Sequence, residues 1–158
     1  MVAEFHLFHG AVLTALVRRD QPLSLSMIET KPKESWSTYR INDAVNLVVK
    51  HTTTRNVQKR SKAYAWTFTF SPAQIKQVRE GSAWAALVCG ATKVDDKDME
   101  ICLLEPKQIA KLLDLTAQTQ QVISVRAEEG NSLRAYSGRH PEELIVARNR
   151  LSNWRVPN

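Results

Sequence analysis

Apolar residues recur at helical spacing over residues 3–18. Phe5, Phe8, Val12, Ala15 and Leu16 follow the i, i+3, i+7 pattern, and Leu7, Ala11 and Leu13 widen the stripe. The pattern predicts an amphipathic helix, with Gly10 marking close packing against a sheet. The period then falls to two. Leu23, Leu25 and Met27 alternate with serines, predicting a half-buried strand. Residues 31–35 read as a turn, Trp36 to Ile41 as a second strand, Asn42-Asp43 as a tight hairpin turn and Val45 to His51 as a third strand. Residues 52–62 read as a long exposed loop, and residues 64–70, YAWTFTF, as a fourth strand.

Ser71-Pro72-Ala73-Gln74 is a capping box with proline at the first helical position, predicting a helix to about Glu80 with Gly81 as its stop. WAALVC, residues 84–89, predicts a central strand, residues 95–98 a turn, and Met99 to Leu104 a returning strand. Pro106 opens a third helix with Ile109, Leu112, Leu113 and Leu115 on its apolar side. Val122 to Val125 and Leu133 to Tyr136 predict two further strands around the turn of residues 128–131. Residues 142–156 fit a short helix or a strand equally. The order is α-ββββ-α-ββ-α-ββ. The expected class is α+β, with a largely antiparallel or mixed sheet, an N-terminal helix and two further helices.

The 158 residues are expected to form one domain, large enough to close a core without disulfide or metal staples. Five Gly and six Pro exclude collagen-like and low-complexity chains. No apolar run approaches the roughly 20 residues of a membrane span, so no membrane partner is expected. Glu4 stands where a signal peptide would carry Lys or Arg, which predicts a cytoplasmic protein.

Charge changes the picture. The chain holds 22 Lys and Arg against 16 Asp and Glu, net +6. Residues 31–62 alone hold eight cations and two acids, so the remainder sums to zero. The cations are Lys31, Lys33, Arg40, Lys50, Arg55, Lys59, Arg60 and Lys62. Such a field attracts polyanions or acidic surfaces. Trp36, Tyr39, Tyr64 and Trp66 are interleaved with or follow the cations. Of these, Trp36 beside the polar turn is the candidate to stack on a base, whereas Trp66, Phe68 and Phe70 alternate as core residues do. Arg148, Arg150 and Arg155 either extend the patch or are solvated.

The order α-β-β-β followed by α-β over residues 3–89 resembles the core of restriction-endonuclease-like PD-(D/E)xK nucleases. The runs YRINDAVNLVVKHTTTR, WTFTF and LVCG also resemble segments of small uncharacterised bacterial proteins. The nuclease resemblance implies two or more carboxylates and a lysine converging on a divalent cation. Glu29-Thr30-Lys31 has the ExK form, but Asp20 lies nine residues upstream on one strand, roughly 30 Å away. The alternative pairs Asp43 with Lys50, and the position two before Lys50 is Val48, which cannot bind metal. In a meander of these strands Glu29 and Lys50 share one end and Asp43 takes the other. The pattern is broken either way, and a carboxylate from elsewhere, such as Glu4, is needed to complete it.

His6 and His9 are three apart on the first helix, an HxxH without a third ligand in register, with His51 and His140 elsewhere. Packed or exposed structural histidines are the simpler expectation. Cys89 and Cys102 are not a CxxC pair. Symmetry about Asp95-Asp96 predicts that they face each other across two strands as free, buried thiols. Gly-rich phosphate loops are absent, and GSA at residues 81–83 is a helix stop.

The reading that follows is non-catalytic nucleic-acid binding through the eight cations and Trp36, with no catalytic residue, metal or cofactor. The alternatives are a homo-oligomeric protein-interaction or small-anion-binding module and a divergent metal-dependent nuclease.

Overall fold

The computed structural model describes residues 4–18, 22–58, 63–91 and 99–157. The predicted N-terminal helix is α1, Glu4–Val17, and its stripe Phe5, Phe8, His9, Val12 and Leu16 is buried. Three strands follow as an antiparallel meander: β1 (Leu25–Lys31), β2 (Trp36–Ile41) and β3 (Val45–Thr52). A 3-10 turn, Pro32–Glu34, joins β1 to β2. Asn42 and Asp43 both take φ of 53°, the left-handed pair of a turn that the Ala44 amide closes onto the Ile41 carbonyl at 3.0 Å, with Ile41 opposite Val45, and Asn42 Oδ1 accepts from the Ser24 amide at 2.9 Å.

Residues 52–62 are not wholly loop: Arg55–Gln58 form a short strand, β4. It pairs antiparallel with β5 (Ala63–Phe70). RNVQ lacks an apolar period, so the strand rests on its ladder with β5 rather than on side-chain patterning. The capping box forms as predicted. Ser71 Oγ accepts from the Gln74 amide at 3.2 Å, Gln74 Oε1 accepts from the Ser71 amide at 3.1 Å, and α2 runs Pro72–Gly81. The chain continues through β6 (Trp84–Cys89), β7 (Glu100–Leu104), α3 (Pro106–Leu112), β8 (Gln121–Glu128), β9 (Leu133–Tyr136) and β10 (Leu144–Val146). The order is the one expected, with the short strands β4 and β10 added. Residues 142–156 resolve into β10 and a series of turns.

The strands form two five-stranded sheets, ordered β1-β2-β3-β6-β7 and β10-β9-β8-β5-β4. The class is α+β. Among the described strands one pairing is parallel, β3 with β6, and the excursion between them builds β4, β5 and α2. The main core lies between the sheets, where Trp66, Phe68, Phe70, Leu87, Leu104 and Ile123 meet α2 and α3. A second core lies on the outer face of the first sheet, under α1 and the segment carrying Leu151 and Trp154. The central strands β3 and β6 of the first sheet are therefore buried on both faces, while the edge strand β1 stays largely exposed, which is why β3 and β6 read as largely apolar runs.

Close packing of α1 depends on Gly90 rather than on Gly10. A Cβ on Gly90 would lie 2.8 Å from two Phe8 ring carbons, whereas one on Gly10 meets nothing within 4 Å. The β6–β7 hairpin is antiparallel as expected, but its register differs by two residues. Cys102 faces Leu87 and Cys89 faces Glu100, so the thiols are diagonal neighbours. Both are free and buried. Burial pushes the Cys89 thiol well up and Cys102 up to about 12, so neither is a nucleophile near neutral pH. The turn expected at residues 95–98 lies outside the described residues.

Candidate functional site

At one end of the meander Lys31, Trp36 and Lys50 lie in register across β1, β2 and β3. Trp36 and Lys50 point toward the inter-sheet core, against α2. The Trp36 indole N–H donates to Gln77 Oε1 at 2.8 Å, and the Gln77 amide donates to Glu29 Oε2 at 3.1 Å. Lys50 Nζ donates to the Glu34 carbonyl and to Gln74 Oε1, both at 3.3 Å. It also sits 5.8 Å from the Trp36 ring centre and 5.7 Å from that of Phe70. Burial lowers the Lys50 pKa, opposed by the charge of Glu34. Lys31 is held at the surface by Glu29 at 3.0 Å and Glu34 at 3.7 Å.

The opposite face of the same strand end carries a chain of hydrogen bonds under α1. His9 Nδ1 lies 2.5 Å from Ser37 Oγ, His9 Nε2 lies 2.8 Å from His51 Nδ1, and His51 Nε2 lies 3.2 Å from Glu4 Oε1. Chemistry fixes the protons. A carboxylate only accepts, so His51 carries its proton on Nε2 and leaves Nδ1 as an acceptor. His9 must then donate from Nε2, and its Nδ1 accepts the Ser37 hydroxyl proton. Every donor therefore points toward Glu4, whose side chain is 58% exposed. Burial pushes His9 down to about 3, with the neighbouring His51 adding to the fall. Burial also lowers His51, against the raising effect of Glu4. Phe5 stacks on His9 and Phe8 on His51.

A serine bonded to a histidine relay has the connectivity of a hydrolytic nucleophile. The geometry argues against that use. Ser37 is 0% exposed, and the cover over it is α1, which carries His9 itself. Lifting the helix to admit a substrate would remove the base.

The residues singled out from sequence divide into groups. Trp36 is 0% exposed and Lys50 is buried, so neither offers a face to a base or a phosphate. Lys33 is exposed beside ion-paired Lys31, in the turn that the Ser35 carbonyl ties to the His51 amide at 3.3 Å. Arg55 starts β4, with its guanidinium 4.1 Å from the Tyr64 ring centre. Arg40 is exposed but lies four residues along β2 from Trp36, roughly 13 Å away. Lys59, Arg60 and Lys62 lie outside the described residues. Arg148 and Arg150 are neither patch nor solvated. Arg148 bonds Glu100 and the carbonyls of Glu128 and Asn131, and Arg150 bonds Gln108, Glu105 and the Leu103 carbonyl, pinning the C-terminal segment to β7 and α3. Arg155 is exposed.

The meander places Glu29 and Lys50 at one end and Asp43 in the turn at the other, as the strand arithmetic implied. His6 is exposed while His9 is buried, so the HxxH pair is split. Among the described residues no group of three or more His, Cys, Asp or Glu is arranged to hold a metal. No described helix is long and apolar enough to cross a membrane.

Sequence reasoning missed the pairing of His9 with His51 and the part played by Ser37. A signal was present. His9 follows Phe8 on the stripe that α1 buries, and Lys50-His51 puts a polar residue on each face of a strand buried on both sides. No protein family, curated protein or solved structure matches the chain.

Proposed function

We propose that the protein binds nucleic acid without acting on it, at the end of the molecule where the β1–β2 turn meets the β3–β4 connection. One observation carries the reading: the whole charge excess lies in residues 31–62, and at that end the β1–β2 turn is bonded to the last residues of β3. The His51 amide bonds the Ser35 carbonyl, and β4 begins at Arg55, three residues after β3 ends. The contact group in this reading is Lys33 and Arg55 with Lys59, Arg60 and Lys62 of the β4–β5 connection. Lys50 and Trp36 hold the turn from inside, and Lys31 is held by its two glutamates. Threonine hydroxyls at residues 52–54 add neutral phosphate contacts.

Each cation that neutralises a phosphate releases condensed counterion, and log K falls against log salt with a slope of about −0.9 per phosphate. Replacing Lys33, Lys59, Arg60 and Lys62 with Ala is expected to lower the slope magnitude by roughly 3–4, measured by fluorescence anisotropy on single- and double-stranded DNA and RNA. A folded quadruple variant with unchanged affinity and slope overturns the reading.

A further inference from the structure

In the Ser37–His9–His51–Glu4 chain the serine and both rings are buried and only the carboxylate reaches solvent, so its chemistry acts on the fold rather than on a substrate. It joins α1 to β2 and β3 through side chains that accept only one proton arrangement while both rings are neutral. The charged and titratable groups acting on the rings are Glu4 and His6 from α1 and Lys50 from β3. β2 brings Ser37, the turn before it brings the Ser35 carbonyl, and β6 brings Val88 opposite His51. An added proton thus enters a site already facing two basic side chains. The carboxylate stands at the far end of the chain, beyond His51. Phe5 and Phe8 exclude the water that would otherwise solvate the charge.

We propose that this chain is an acid-sensitive latch: protonation of the His9–His51 pair releases α1 from the first sheet and uncovers the apolar face beneath it. That face is built by Tyr39, Ile41, Leu47 and Val49, which α1 meets with Phe8, Val12 and Leu16. The direction follows from linkage. Unfolded histidine titrates near 6.5, and the docked pair resists protonation. Below about pH 6.5 the released state holds more protons, so lowering the pH favours release. Each histidine that gains its proton on release raises the opening equilibrium about tenfold per pH unit.

The test is native-state hydrogen exchange on the wild-type protein between about pH 6.5 and about pH 4.5, corrected for the intrinsic pH dependence of exchange. The expected result is that α1 amides lose protection by about tenfold or more per pH unit while β5 and β8 stay protected. The double variant His9→Gln, His51→Gln should show no such slope. Because that variant also removes docking contacts at every pH, the imidazole signals of the wild-type protein provide the second readout by nuclear magnetic resonance. Both rings should take up protons only together with loss of α1 protection. Three results overturn the proposal: α1 protection that does not change, α1 and the sheets opening at the same pH, or a ring that protonates while α1 stays protected.

Discussion

Lys50→Met separates a lysine that serves binding from one that supports a turn. The ammonium is buried with no carboxylate of the described residues in ion-pair contact, and its described partners are two acceptors at 3.3 Å and two aromatic rings. Removing an ion from water costs several kcal/mol after relaxation, and contacts this long return only part of it. Methionine follows nearly the same path and keeps sulfur contact with the rings. No buried acceptor is orphaned. Gln74 Oε1 still accepts from the Ser71 amide at 3.1 Å, and the Glu34 carbonyl belongs to an exposed residue that water reaches. The net expectation is stabilisation by about 1–2 kcal/mol, or a Tm higher by about 3–6 °C in a chain of this size. Nucleic-acid affinity should not change. The pH dependence has a fixed sign. Burial puts the folded pKa of Lys50 below the unfolded value. Between the two the unfolded chain holds more protons, so wild-type stability rises with pH there. The advantage of Lys50→Met is therefore full below the folded pKa and gone by about pH 10.4. Thermal unfolding across neutral and alkaline pH reads this. A variant less stable by more than about 1 kcal/mol, or an advantage independent of pH, refutes the reasoning.

Two further substitutions test the packing. Gly90→Ala drives a Cβ to 2.8 Å from the Phe8 ring and should cost about 1–3 kcal/mol by denaturant titration, less when combined with Phe8→Leu. Additive costs would show that the two residues do not collide. Ser71→Ala removes the cap of α2 and should cost about 1 kcal/mol, whereas Ser71→Gly should cost only a few tenths, as thermal unfolding will report. Equal losses would place the effect elsewhere than in the cap.

Local chemistry was legible wherever a short stretch decides its own structure. The capping box names α2, and Asn42-Asp43 between two alternating runs names the β2–β3 hairpin. What escaped depends on distant partners. Alternation in YAWTFTF says which side chains turn inward, but not that β5 pairs with β8 instead of joining the first sheet. β4 has no apolar period, and only its neighbour makes it a strand. The register of β6 and β7 depends on how the chain turns between them, so symmetry about Asp95-Asp96 misplaced the cysteines by two residues. The cations were visible as a cluster, yet burial sorted them. Lys50 and Trp36 fill a turn from within, and the polar residues His9, Ser37 and His51 found partners 28 and 42 positions apart in sequence.

The central claim, that the β1–β2 turn and the β3–β4–β5 region form a nucleic-acid surface, is tested most directly by mapping amide shifts on titration with a mixed-sequence single-stranded oligonucleotide at low salt. The account predicts shifts confined to residues 31–35 and 52–63 that fade as salt rises. No shifts at low salt, or shifts gathered on the outer face of the second sheet around Thr67, Ser124 and Arg126, would contradict it.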